Sequence, residues 1–397
     1  MSNKNKKYLV PLIVMAVLFF LLGFITTMNN SMIDFLKDAF NLNDVEKQLP
    51  NTFFYGAYVF SIPIGLLISR IGYKNGVLVG LGVIVLGFLM AIPLVALGYI
   101  PFLMAVSVFA LGIVVLQVAA NPYVNILGEP ETAASRLTLT NAMNSVATVI
   151  APIFVSMLIV NETNDPKAVQ VPFMFIGGIT LALLVGLFFL KLPQVNEEDL
   201  QIKQEKYKSS AFKYPHVWLG SLGIFFYVAI ELGIPSFFAD YSEKLGLTFT
   251  SQERIDMLKF YWGGLMIGRL IGIFILKKIS ARHILALCSI GAPILLATSF
   301  FIGGNFNTVA LWLYLGTGLF HSIMWPTIYN LSLEDIGPHG GVASGVISTS
   351  VIGAAILTPL MGTVQRATGN VVVAISFLFI YYAYLFFFAI KGSKIRT

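Results

Sequence analysis

Apolar residues along this chain fall into long blocks separated by short polar, glycine or proline breaks. The blocks lie at 8–34, 50–69, 76–97, 100–127, 136–160, 171–192, 215–240, 257–276, 282–303, 308–332, 341–364 and 371–390. A helix that crosses hydrocarbon needs roughly 20 apolar residues, and with a connecting loop each such unit takes about 33. The 397 residues therefore predict twelve spanning helices and leave no room for a sizeable extramembrane domain. That argues against a receptor ectodomain or an appended soluble enzyme. The first block, Tyr8 to about Met28, is longer than a signal-peptide core and has no small-residue cleavage site after it, so it is retained as a helix.

Gln194 to Tyr214 is the longest strongly polar interval, with Glu197, Glu198, Asp199, Lys203, Lys206 and Lys208. It divides the blocks six and six, which sets the expected organisation: a bundle at 1–193, a linker at 194–214 and a second bundle at 215–397. A faint internal repeat agrees with this. Pairing Gly65 with Gly272 brings Arg70 to Lys277, pairing Pro122 with Pro326 brings Gln117 to His321, and pairing Ser31 with Ser236 brings Thr26 to Glu231. The expected fold is an all-α integral membrane protein of twelve helices in two pseudo-symmetric six-helix bundles.

Composition strengthens this reading, since 57% of residues are hydrophobic and 11% charged against roughly 25% charged in a soluble domain. The net charge of +6 does not mark a nucleic-acid binder. Most of the 25 Lys and Arg residues sit in alternate short loops on the side of the N-terminus, which places both termini and the linker in the cytoplasm. The single cysteine, Cys288, excludes a disulfide and a multi-cysteine metal site.

Polar side chains inside spanning helices need partners or a wet cavity, so they are the candidate chemistry. The first block carries Thr26, Thr27, Asn29 and Asn30; the fourth carries Gln117 and Asn121, followed by Pro122; the fifth carries Asn141 and Asn144. Helical spacing puts Thr26 with Asn30, Gln117 with Asn121 and Asn141 with Asn144 on shared faces. Amides donate and accept hydrogen bonds without carrying charge, which suits the hydroxyls of a neutral polyol. The same groups would also serve as glue between helices; their clustering on three helices favours a solute cavity.

Glu231, Arg269 and His321 are the ionisable residues deep in the second half. An isolated charge there costs about 2.5–3.5 kcal/mol or more, so each must be paired, neutralised or hydrated. Glu231 is the candidate for proton uptake and release, the alternative being a permanent bridge to Arg269. His321 is read as a neutral hydrogen-bonding residue of the cavity. Tyr123, Trp262 and Trp325 offer ring faces for stacking on a sugar, or pack as aromatics do in any bundle.

A phosphate loop, a His-Glu-x-x-His pair and a Gly-x-Ser-x-Gly elbow are all missing from the sequence, so no enzyme class and no cofactor or metal is expected, and ATP drive is disfavoured. Gly65 to Lys74 resembles the loop between helices 2 and 3 of the major facilitator superfamily, with Ser69 where an Asp is usual. Two further stretches, Leu116-Gln-Val-Ala-Ala-Asn121-Pro-Tyr123 with Ser135-Arg136-Leu and Asn144-Ser145 downstream, and Phe260 through Arg269, are similar to the fucose/glucose/galactose permease branch. The resemblance runs over nearly the whole chain. It implies a bacterial inner-membrane sugar:proton symporter that works by alternating access. It also implies that Asn30 and Gln117 occupy positions where fucose members carry carboxylates. An amide does not cycle a proton near neutral pH, which leaves Glu231 as carrier, a uniporter, or a chain locked in one conformation. Gln117 is shared with glucose/galactose members and tilts the substrate toward those hexoses.

The expected protein is thus a monomer in membrane lipid that carries a small neutral sugar with a proton, or sodium, as coupling ion. Its cavity is expected to use Asn29, Asn30, Gln117, Asn121, Asn141, Asn144, Trp262 and His321, with Glu231 for coupling and Arg70, Arg136 and Arg269 as structural or gating residues. Rival readings are a uniporter, an exporter of amphipathic compounds and a sugar sensor without transport.

Overall fold

The computed structural model describes residues 3–42, 46, 49–159, 165–190 and 209–395, so the linker expected at 194–214 lies outside the described residues up to position 208. Regular structure among the described residues is helical throughout. The first half holds α1 (Asn3–Ser31), α2 (Ile33–Phe40), α3 (Leu49–Gly56), α4 (Ser61–Ile71), α5 (Tyr73–Leu97), α6 (Tyr99–Ile126), α7 (Ala133–Ile159) and α8 (Gln170–Phe189). The second holds α9 (Pro215–Ser236), α10 (Phe238–Lys244), α11 (Ser251–Ile275), α12 (Ala281–Ile302), α13 (Asn307–His321), α14 (Met324–Ser332), α15 (Gly340–Thr349), α16 (Gly353–Thr368) and α17 (Val371–Ile390).

Among the described residues, eleven helical stretches are long and apolar enough to cross a membrane. The tenth expected span, 308–332, is absent from that set because it is broken. Its pieces, α13 and α14, have 15 and 9 residues, separated by a turn at Ser322 and Ile323. The sequence repeat has a structural counterpart: α1 ends at Ser31 and α9 at Ser236, and each is followed by one residue and then a short helix, α2 or α10.

Two compact units form. One contains Met1–Gly128, Met143–Ser209 and Ile336–Thr349; the other contains Glu129–Ala142, Ser210–Asp335 and Ser350–Thr397. In the first unit, α5 and α6 approach to backbone distance. A Cβ on Gly80 would lie 2.7 Å from the Leu116 nitrogen, and one on Gly112 would lie 2.6 Å from that of Ile84. Small residues permit this, and helix association in lipid depends on such close packing. Phe88, Phe109 and Phe173 fill the space beside it, with ring centroids 5.1 to 5.9 Å apart. Helix α15 lies on α4 in the same manner, a Cβ on Gly65 falling 2.6 Å from the Gly341 carbonyl.

In the second unit, Gly264, Gly268 and Gly272 form a stripe at helical spacing on α11 that faces the broken helix. A Cβ on Gly264 would lie 3.3 Å from the Leu319 nitrogen; one on Gly268 would strike the Ser322 hydroxyl, and one on Gly272 the Ile323 side chain. The first turns of α7 belong to this unit, where the Ser135 hydroxyl donates to the Ile273 carbonyl at 2.7 Å. Helix α11 starts with a capping box: Thr250 accepts from the Glu253 backbone, and the Glu253 carboxylate accepts from Thr250.

Candidate functional site

Among the described residues, two sets of buried polar side chains stand out, one in each unit. In the first unit the set is neutral. Asn29 on α1 and Asn121 on α6 are 1% and 0% exposed, and neither the amide oxygen nor the amide nitrogen of either residue has a hydrogen-bond partner. A buried polar group left unpaired costs about 1–3 kcal/mol, so four such atoms make a strong demand for a partner that brings both donors and acceptors. One turn before Asn121, the half-buried Gln117 accepts a 2.7 Å hydrogen bond from the Tyr58 hydroxyl. Asn144 on α7 donates to the Phe19 carbonyl at 3.2 Å and sits against Gly23, where a Cβ would lie 2.8 Å from its amide. Asn30 is exposed, and Thr26 turns its hydroxyl back to the Leu22 carbonyl.

The second cluster is built from ionisable groups and is closed on itself. Arg269 on α11 is 8% exposed and lies 3.3 Å from the Glu231 carboxylate of α9. It also donates from Nε to the Ser322 carbonyl at 3.1 Å and from its terminal nitrogen to the Asn141 carbonyl at 3.5 Å. The Asn141 side chain donates to Leu137 of its own helix at 2.8 Å. His321, at the end of α13, is fully buried with both ring nitrogens engaged. Tyr261 Oη lies 2.9 Å from Nδ1, and Tyr382 Oη lies 2.5 Å from Nε2. Since the Tyr261 hydroxyl donates to the Glu231 carbonyl at 2.9 Å, the bond to His321 is donated by Nδ1–H, and Nε2 accepts from Tyr382. Tyr227 donates to the His321 carbonyl at 3.1 Å.

The structure therefore gathers Glu231, Arg269, His321 and the Asn141 backbone into one network. Trp262 borders it, 38% exposed, with its ring against Tyr261 at 5.2 Å between centroids. Trp325 is buried, its ring 6.1 Å from that of Tyr227. Tyr123 is buried and packs on Tyr73. Arg70 is exposed at the end of α4, and Arg136 holds the entry to α7 by donating to the Glu129 carbonyl at 2.8 Å and to Thr132. Tyr58, Tyr227, Tyr261 and Tyr382 are not among the residues that the polar pattern of the sequence predicts. Their signal is generic but usable: a phenol inside an apolar span must find a hydrogen-bond partner.

Comparison with known proteins gives one consistent picture. The family model described as Major Facilitator Superfamily matches residues 15–359. The chain is 38% identical over 404 residues to a glucose/galactose transporter of Brucella abortus biovar 1 (strain 9-941), covering 99% of this chain and 96% of that one. It is 27% identical to the L-fucose-proton symporter of Escherichia coli (strain K12), covering 100% and 96%. Among solved structures it is similar to the transporter FucP in the outward conformation, with a TM-score of 0.86 at 26% identity over 96% of this chain and 98% of that chain.

Proposed function

The chain belongs to the Major Facilitator Superfamily and is a multi-pass membrane transporter, not an enzyme; on that premise we propose that it carries a neutral hexose, glucose- or galactose-like, across a bacterial cytoplasmic membrane. The observation that carries this reading is the pair Asn29 and Asn121, buried amides whose polar atoms are all without partners. A sugar hydroxyl donates and accepts at once and so answers both halves of an amide, with no charge to desolvate. Gln117 and Asn144 extend the neutral set, and the likeness to a glucose/galactose transporter over 99% of the chain supports a hexose. Asn30, Asn141 and Trp262 border the site in this reading, Trp262 offering a ring face. His321 acts through Tyr261 and Tyr382, since its own nitrogens are taken.

Transport proceeds by alternating access between bundles at 1–193 and 215–397, with the linker at 194–214 and both termini in the cytoplasm and the protein monomeric in lipid. Glu231 is the proton carrier, because Asn30 and Gln117 cannot titrate. Arg70 and Arg136 hold the chain at helix ends. A second reading, uniport through the same site, draws support from the Glu231–Arg269 pair: a carboxylate that stays paired at 3.3 Å throughout the cycle moves no proton.

Counterflow of labelled glucose, galactose and fucose in proteoliposomes, with and without an imposed pH gradient, tests both. Saturable hexose counterflow that is lost in Asn29→Leu and Asn121→Leu is expected. Normal counterflow in both variants, or competition by lipophilic cations but not by sugars, overturns the site. Uptake driven by the gradient selects the symporter; a sodium gradient in its place would reassign the ion.

A further inference from the structure

Two spanning helices carry a proline at matching positions, Pro122 in α6 and Pro326 in α14. Proline has no N–H, so the carbonyl four residues earlier loses its helical donor. Those carbonyls belong to Val118 and Ser322, and each is taken by a side chain from another helix. For Val118 the donor is a neutral hydroxyl, Ser344 on α15 at 2.8 Å, and α6 runs unbroken from Tyr99 to Ile126. For Ser322 the donor is the Arg269 guanidinium at 3.1 Å, and the helix is broken at that point. The guanidinium that caps the break is the same one that pairs with Glu231 at 3.3 Å. Tyr227, on Glu231's own helix one turn away, also reaches the broken helix. Its hydroxyl donates to the His321 carbonyl at 3.1 Å, next to the break.

We propose that the break between α13 and α14 is a hinge set by the charge on Glu231, with Arg269 as the positioning residue that couples the two. This rests on the reading of Glu231 as the proton carrier and adds the element that the proton moves. With Glu231 ionised, the fork of Arg269 is satisfied by a carboxylate and two carbonyls, those of Ser322 and Asn141. Proton transfer to the carboxylate removes the counter-charge and leaves a buried cation, which is strongly unfavourable. Arg269 then leaves for water, the Ser322 carbonyl loses its only donor able to replace a helical N–H, and the bend of α13 on α14 changes. The groups that face Glu231 are few. Helix α11 brings Arg269 and Tyr261, α13 brings His321, α17 brings Tyr382, and its own helix brings Tyr227. The other elements packed on α9 offer Tyr329 on α14 and, at the far end of α16, the exposed Arg366. Helix α10 also packs on α9 and carries two exposed carboxylates, Asp240 and Glu243, with Lys244 beside them, and the turns at the start of α9 bring Lys213 and Lys394. Glu243 pairs with Arg254 at 2.6 Å, and the response is assigned to Glu231 because it is the carboxylate paired with Arg269.

The test is an end-to-end distance across the broken helix. Spin labels at Phe306, 65% exposed, and Asp335, also exposed, in a Cys288→Ser background report the bend in sugar-free proteoliposomes at mildly acidic and mildly alkaline pH. The distance distribution of the parent protein is expected to shift between the two buffers. Glu231→Gln should hold the acid distribution in both, and Arg269→Ala should abolish the shift. Arg269→Lys, which keeps the charge without the fork, should also fail to restore it. Pro326→Ala, which returns a helical N–H to Ser322, should lengthen and narrow the distribution and remove its dependence on pH. An identical parent distribution in the two buffers, or a shift that persists in Arg269→Ala, overturns the hinge. Glucose counterflow on the same vesicles separates this from the transport reading: a distance shift without counterflow sinks the sugar and leaves the hinge, and the converse sinks the hinge alone.

Discussion

The two polar clusters solve burial in opposite ways. In the first unit, Asn29 and Asn121 are uncharged and all four amide atoms lack partners. In the second, Glu231, Arg269 and His321 carry or can carry charge, and all are joined to neighbours at 2.5 to 3.5 Å. An unmet neutral amide is tolerable and waits for a ligand, whereas an unmet charge at this depth is not. That contrast fits the roles proposed above, recognition for the first set and a conformational switch for the second.

Opposite signs on stability would sharpen this contrast. Arg269→Ala strips the counter-charge from Glu231, and breaking a buried pair from one side typically costs about 3–5 kcal/mol; the thermal unfolding midpoint in detergent should fall markedly and recover in part when Glu231→Gln is added. Asn121→Leu removes two unmet atoms and should raise sugar-free stability by about 1–3 kcal/mol. The same variant should lose the stabilisation that glucose gives the parent protein. Equal signs for the two substitutions would erase the distinction drawn here. A smaller effect is expected at the edge of the amide cluster. Gln117→Ala and Asn144→Ala each remove a neutral contact and should lower apparent hexose affinity by about tenfold, equivalent to ~1.4 kcal/mol, with folding preserved. Tyr58→Phe should follow Gln117→Ala in direction, because it removes the 2.7 Å hydrogen bond that holds the Gln117 amide in place.

The smallest effect lies outside both clusters, in the cap of α11. Hydrogen bonds from the Thr250 backbone and hydroxyl hold the Glu253 carboxyl below its ordinary range. A depressed folded value means the cap contributes above the unfolded pKa and is lost as pH falls through the folded one. Glu253→Gln should accordingly flatten a slight acid-side decline in the thermal midpoint without altering counterflow.

Much of the fold was legible in the sequence because bilayer-length apolar blocks leave a helix little alternative. The exception, 308–332, shows what pattern alone misses. Pro122 and Pro326 look alike in sequence, yet one helix continues and the other breaks; the difference lies in which distant side chain reaches the freed carbonyl, Ser344 or Arg269. Sequence spacing placed Gln117 with Asn121 and identified Glu231, Arg269 and His321 as the ionisable residues needing partners. It did not reveal that Tyr261 and Tyr382 would occupy both nitrogens of His321, since partners more than 59 residues apart leave no mark on local periodicity.

Where α4 meets α15, Gly65 and Gly341 face one another, and an added methyl would collide with main-chain atoms. A seam of this kind has no rotamers to freeze and no interlocking knobs to withdraw, so parting and rejoining it carries little side-chain entropy. On the alternating-access reading proposed above, such a surface would reseal in one register by fit alone.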